Sequence, residues 1–116
     1  MTSDTHPALR RLIDDPEGTH LYIVTTYYRQ HQMFHYLSSQ VSPSRSPDIR
    51  FFANGNRIIH KKGGQLILGV YSQGVDRLRG LQLSSIDKDG DVSLYGDELS
   101  DFWHDTKARI KRVKAT

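Results

Sequence analysis

The segment His20-Leu-Tyr-Ile-Val-Thr-Thr26 constrains this chain more than any other. Its centre is apolar and aromatic with no polar gaps, and its second half is β-branched. Such a run reads as an interior strand of a sheet. At Tyr27 the period changes. Phe34, Leu37 and Val41 fall along one stripe with Met33 beside it, so Tyr27 to about Gln40 reads as a helix packed on that sheet. A buried strand that runs straight into an amphipathic helix demands a layered domain around one core. With 116 residues the chain is sized for a single domain over 1–116.

The other elements follow from turn chemistry. Pro7–Asp14 reads as a short helix capped by Asp4 or Thr5, with Leu9, Leu12 and Ile13 on one face. Asp15-Pro16-Glu17-Gly18 is a turn by composition. Ser42–Pro47 breaks structure. Asn54-Gly55 then signals a hairpin between Ile49–Ala53 and Arg57–Lys61. Lys62-Gly63-Gly64 turns into a strand over Gln65–Ser72, and Val75–Gly80 reads as a loop or one helical turn. Leu81–Ile86 is a further strand, and Asp87–Asp91 turns into Val92–Tyr95. Gly96 and Asp97 open a last helix, with Leu99, Phe102, Trp103, Thr106, Ile110 and Val113 at helical spacing and Trp103 expected in the core. The expected fold is α+β: a mixed, largely antiparallel sheet of five or six strands, two main helices and a short N-terminal helix.

Composition removes several function classes. Cysteine is absent, which excludes disulfides, thiolate metal sites and Cys nucleophiles. The longest apolar runs, such as Leu66-Ile67-Leu68, fall far short of the roughly 20 residues that cross a bilayer, so no membrane partner is expected. The amino-terminal Met-Thr-Ser-Asp-Thr-His-Pro has no apolar core behind a basic patch, and the expected location is the cytoplasm (the host's, if the chain is viral).

Charge is informative by position. All 13 acids lie in residues 1–106 beside 11 of the 16 Lys and Arg, so the formal +3 comes from a basic tail over 107–116. Such a terminus is the footprint of a polyanion partner, and it also suits a helix C-terminus, where the dipole favours cations. Candidate phosphate contacts are Arg57, Lys61 and Lys62 near Phe51 and Phe52, Arg77 and Arg79 between Gly74 and Gly80, and Lys107, Arg109, Lys111 and Arg112 in the tail. Strand alternation turns one of Phe51 and Phe52 to the core and leaves at most one to stack on a base. The alternative is a protein-interaction module that binds and inhibits a host or phage machine. Its anchors would come from six Tyr and one Trp, with Tyr27, Tyr28 and Tyr36 on the central helix. The seven carboxylates between Asp87 and Asp105 could there mimic a phosphate backbone.

Metal and catalytic patterns are weaker. Asp87, Asp89, Asp91 and Glu98 hold positions 1, 3, 5 and 12 of an EF-hand-like loop, but Val92 stands at position 6, where that loop needs glycine. A plain Asp-Gly turn explains the same residues, so calcium is the minor reading. His31 and His35, four apart on the central helix, have the spacing of two ligands on one metal, with His20, His60 or His104 as a third. No Glu follows His31, the H-E-x-x-H pattern fails, and the pair reads as solvent-facing. No G-x-S-x-G occurs either. The expectation is a non-enzyme without cofactor.

The run His20–Leu37 (HLYIVTTYYRQHQMFHYL) resembles the strand and helix after the nucleotide loop in phage large terminases, the DNA-packaging ATPases. Phe52-Ala-Asn-Gly-Asn-Arg-Ile58 is similar to their strand-NG-strand hairpin, and Val75-Asp-Arg-Leu-Arg-Gly-Leu81 to their D-x-[LI]-R-G loop. The resemblance spans roughly residues 20–89 and implies that Ile86-Asp87 falls where the strand with the metal-associated acid ends. Two departures stand out. No G-x-x-x-x-G-K-[ST] is present to cradle phosphates, and Lys88 stands where a catalytic Glu would follow the Asp. The resemblance therefore implies a small viral or phage-type, nucleic-acid-associated protein that keeps part of the scaffold without the catalysis.

Overall fold

Strand β1, Thr19–Val24, sits inside a sheet with five of its six residues buried, as its apolar run requires. A computed structural model of the chain describes residues 5–41, 47–52, 57–71, 81–90, 92–93 and 98–115, with 113–115 described by backbone alone. Helix α2, Tyr27–Ser39, begins at Thr26, whose hydroxyl accepts the Arg29 N–H at 3.1 Å as an N-cap. Strands β2 (Ile49–Phe52) and β3 (Arg57–His60) form the expected hairpin, with Phe52 opposite Arg57. Strand β4 (Gln65–Val70) pairs with β3 on one side and β1 on the other, and β5 (Ser85–Lys88) pairs with the far side of β1. The order is β2-β3-β4-β1-β5.

The α+β class and the three helices stand as expected, but the sheet is mixed rather than largely antiparallel. Two of its four pairings, β1 with β4 and β1 with β5, are parallel. The cause is the crossover. Helix α2 carries the chain back to the edge where β1 began, so β2 runs in the direction of β1. Two hairpin reversals later, β4 again points that way and can meet β1 only in parallel.

The final strand also departs from expectation. β5 is Ser85–Lys88, not Leu81–Ile86, and Leu81 and Leu83 pack half-buried on their way to it. Register explains the shift: His20 pairs with Ser85 and Leu21 with Ile86, so Ile86 enters the core beside Leu21 and Ile23. Asp87 and Lys88 thus belong to an edge strand and not to a turn. Among the described residues there is no sixth strand. Val92 is buried outside any strand, and Leu94 and Tyr95 lie outside the described residues.

Helix α1, Pro7–Asp14, has its expected bounds, but its cap is His6 instead of Asp4 or Thr5. A residue before proline is held extended, and His6 has φ −58° and ψ 138°. From there its Nδ1 accepts the Ala8 N–H at 3.1 Å, while its own N–H donates to Gln40 Oε1 at 2.9 Å. Helices α1 and α2 cover one face of the sheet, around Leu9, Leu12, Tyr22, Phe34, Leu37 and Leu66. Helix α3, Glu98–Ala115, covers the other with Leu99 and Phe102 over Leu21, Ile23 and Ile86. Trp103 is only half-buried at the rim of that cluster, with the Lys107 ammonium 5.0 Å over its ring. The amino edge of the parallel strands is clasped by two turns. Gly64 N–H donates to Pro16 O at 2.8 Å, and a Cβ at Gly64 would stand 2.4 Å from that oxygen, so only glycine fits.

Candidate functional site

Strand β1 lies between two parallel neighbours, and the carboxyl edge of such strands is where open α/β sheets usually hold ligands. Here the α1/α2 side of that edge is filled by the protein itself. Asp89, one residue beyond β5 and buried, accepts from the Tyr22 hydroxyl at 2.8 Å and from both Nε and Nη2 of Arg29, the latter at 3.2 Å. Burial pushes the Tyr22 phenol well above its ordinary value of 10, and the hydrogen bond to Asp89 with its charge adds to the shift. His6 packs edge-on against Tyr22 at 5.2 Å. Burial is the main cause that lowers its pKa from 6.5, with Asp89 opposing and Arg29 assisting. The cluster is a satisfied buried network, in which one carboxylate receives three donors.

The residues of the calcium reading are dispersed. Asp87 accepts from Arg11 Nε at 3.3 Å, Asp89 is held as described, Glu98 is exposed at the start of α3, and Asp91 lies outside the described residues. Among the described residues no three His, Asp or Glu side chains are grouped to hold a metal. The Lys88 ammonium donates to Val92 O at 3.0 Å. Of the seven carboxylates, the five described are likewise divided, with Asp87 and Asp89 ion-paired on the α1/α2 side and Glu98, Asp101 and Asp105 exposed on α3, and Asp91 and Asp97 lie outside the described residues.

The basic candidates separate into two groups. Lys107, Arg109, Lys111 and Arg112 are all exposed on the second half of α3, and among the described residues none of them forms an ion pair. Arg57, Lys61 and Lys62 are exposed on β3 and the turn after it, where Lys61 stands 3.9 Å from Asp48. Arg77 and Arg79 lie outside the described residues. Lys61 and Lys62 lie in the turn at the amino edge of the parallel strands and Lys107 stands beside the start of β5 at that edge, where the α1–β1 turn also brings exposed Asp14, Asp15 and Glu17. Phe51 packs on Phe34 at 5.8 Å between ring centroids, which leaves Phe52, 45% exposed, as the free aromatic.

One contributor has no signal in the sequence. An open cavity of about 110 Å³ runs along the outer edge of β5, lined by Arg11 of α1, Lys107 and Ile110 of α3, and Ser84, Ser85 and Ile86. Its two cations come from helices on opposite faces of the sheet, and only the edge position of β5 brings them together. Ser85 Oγ is bound to the buried His20 Nδ1 at 2.7 Å. The outward face of α2 is a third surface, with Tyr27, Tyr28 and Tyr36 exposed to 56%, 73% and 49%. Among the described residues no helix is long and apolar enough to cross a membrane. In comparisons with known proteins, no family model, curated protein or solved structure matches the chain.

Proposed function

We propose that this chain is a non-catalytic, nucleic-acid-associated protein of viral or phage type, terminase-like in part and acting in the cytoplasm. The viral and terminase-like part rests on the residue resemblance alone. The binding part rests on one observation: four cations on successive turns of α3 face solvent without a carboxylate partner among the described residues. Lys107 continues this surface to the β5 edge, beside Ser84 and Arg11, although Arg11 already pairs with Asp87 there. The lysines of the β3–β4 turn are set apart by Asp14, Asp15 and Glu17, so the α3 surface is the principal contact.

Binding of this kind falls linearly in log affinity with log salt, with a slope set by the number of phosphates neutralised. The test is anisotropy on duplex and single-stranded DNA across a salt series, with wild type and Lys111→Glu/Arg112→Glu. The double variant keeps Ile110, which packs on the core and which truncation after Thr106 would remove. The expected result is a slope shallower by about two units on every sequence. Equal slopes would overturn the reading.

A second reading is favoured by the exposed tyrosines of α2. A protein partner seated on Tyr27, Tyr28 and Tyr36 would bind through aromatic area, and its affinity would survive the same salt series.

A further inference from the structure

The outward face of α2 holds two imidazoles that the nucleic-acid reading does not use. His31 and His35 are both exposed one helical turn apart, and their Nε2 atoms lie 3.1 Å from each other. The rings meet edge to face, with centroids 4.4 Å apart and planes at 78°. Such a contact joins an Nε2–H on one ring to a bare Nε2 lone pair on the other. The Nε2 atoms, the ring nitrogens most accessible to a metal ion, are thus turned towards each other.

We propose that His31 and His35 form a two-ligand chelating site for a borderline divalent transition metal ion, Cu²⁺, Ni²⁺ or Zn²⁺. Two imidazole nitrogens bound at about 2.0–2.1 Å to one ion, at angles between square and tetrahedral, stand about 2.9–3.4 Å apart. The observed 3.1 Å falls inside that window. The helix therefore already holds the two nitrogens at the required bite. What remains is a turn of each ring about χ2, a soft torsion on exposed side chains.

The surroundings suit a cation. Arg29 is the only Lys or Arg on α2, and its guanidinium is turned to Asp89. Nitrogen ligands select against Mg²⁺ and Ca²⁺, and the expected order of affinity places Cu²⁺ above Ni²⁺ and Zn²⁺. Solvent or a ligand from another molecule completes the coordination shell.

The experiment uses the full, untagged chain with Ni²⁺ and Cu²⁺. It follows the histidine ring resonances by NMR and the melting temperature, which rises when an ion binds only the folded state. The expected result is that His31 and His35 signals respond first and together. His31→Gln or His35→Gln alone should each weaken binding by about tenfold or more, because each removes the second, intramolecular contact. Neither side chain contributes to the core, so both variants should fold. Combining His31→Gln with Ser39→His rebuilds an i, i+4 pair with His35 on the exposed face and should restore the affinity. Three results would overturn the site: unchanged affinity in the single variants, half the stoichiometry at unchanged affinity, or a first response at His60 or His104.

Discussion

The two main helices place their charge in opposite ways. Helix α2 has one charged side chain, Arg29, and directs it inward to the buried Asp89, so its solvent face is tyrosine, histidine and amide. The described charges of helix α3 face outward, and its described inward face is apolar apart from Thr106, whose buried hydroxyl has no hydrogen-bond partner among the described residues. The first arrangement makes a charge part of the structure and leaves a neutral surface. The second leaves the structure to apolar packing and offers the charge to a partner. Burial of an ion is tolerable only with its donors in place, and Asp89 has three of them.

Asp89→Ala breaks the first arrangement most directly. It takes the acceptor from the Tyr22 hydroxyl and the ion-pair partner from Arg29, and the expected cost is about 3 kcal/mol, the low end of the range for a broken buried pair because the Arg29 side chain is 38% exposed, measurable by urea unfolding. A cost below about 1 kcal/mol would show that α2 is held by its apolar stripe alone. On the α3 side the expected ranking is Phe102→Ala above Trp103→Ala, about 3 against about 1.5 kcal/mol, because Phe102 is buried and Trp103 only half so. Equal losses would move Trp103 into the core. Thr106→Val removes this unpartnered hydroxyl, and should raise stability by about 1 kcal/mol on the same urea curves.

The smallest expected effect is that of pH on His6. Its folded pKa lies below the ordinary 6.5, so between those two values the unfolded chain binds more protons. The contribution is fully present above pH 6.5 and declines as pH falls through the window beneath it. Protonation also occupies the Nδ1 lone pair that caps Ala8. His6→Asn, which caps without titrating, should flatten the decline in thermal melts; an unchanged slope would assign it to another group.

Local features were legible from local residues. The bounds of α1, the strand-to-helix switch at Thr26 and the Asn-Gly hairpin each rest on caps, turns or periods that fit within a dozen positions. The missed features are those that depend on distant partners. Nothing near Ser85 announces that it will lie against His20, so the apolar Leu81–Ile86 looked more strand-like than the true Ser85–Lys88. Parallel pairing was missed for a related reason, since the direction of β4 follows from counting reversals after α2 and not from its own sequence. Asp89 read as a turn residue because its neighbours are Lys88, Gly90 and Asp91. Its donors come from β1 and α2, some 60 positions earlier. Of the basic candidates, the four read as a tail stand exposed on α3, whereas Arg11 reaches the cavity only through the edge position of β5.

The position of β1 also sets an order of events during synthesis. Its neighbours on both sides, residues 65–70 and 85–88, leave the ribosome well after it does. Until then the most buried of the described strands has unpaired edges on both flanks. Early strands with late partners expose nascent chains to mispairing. The protein should therefore be most vulnerable to aggregation half-made, and co-expressed chaperones should raise its yield more than mutations that stabilise the finished fold.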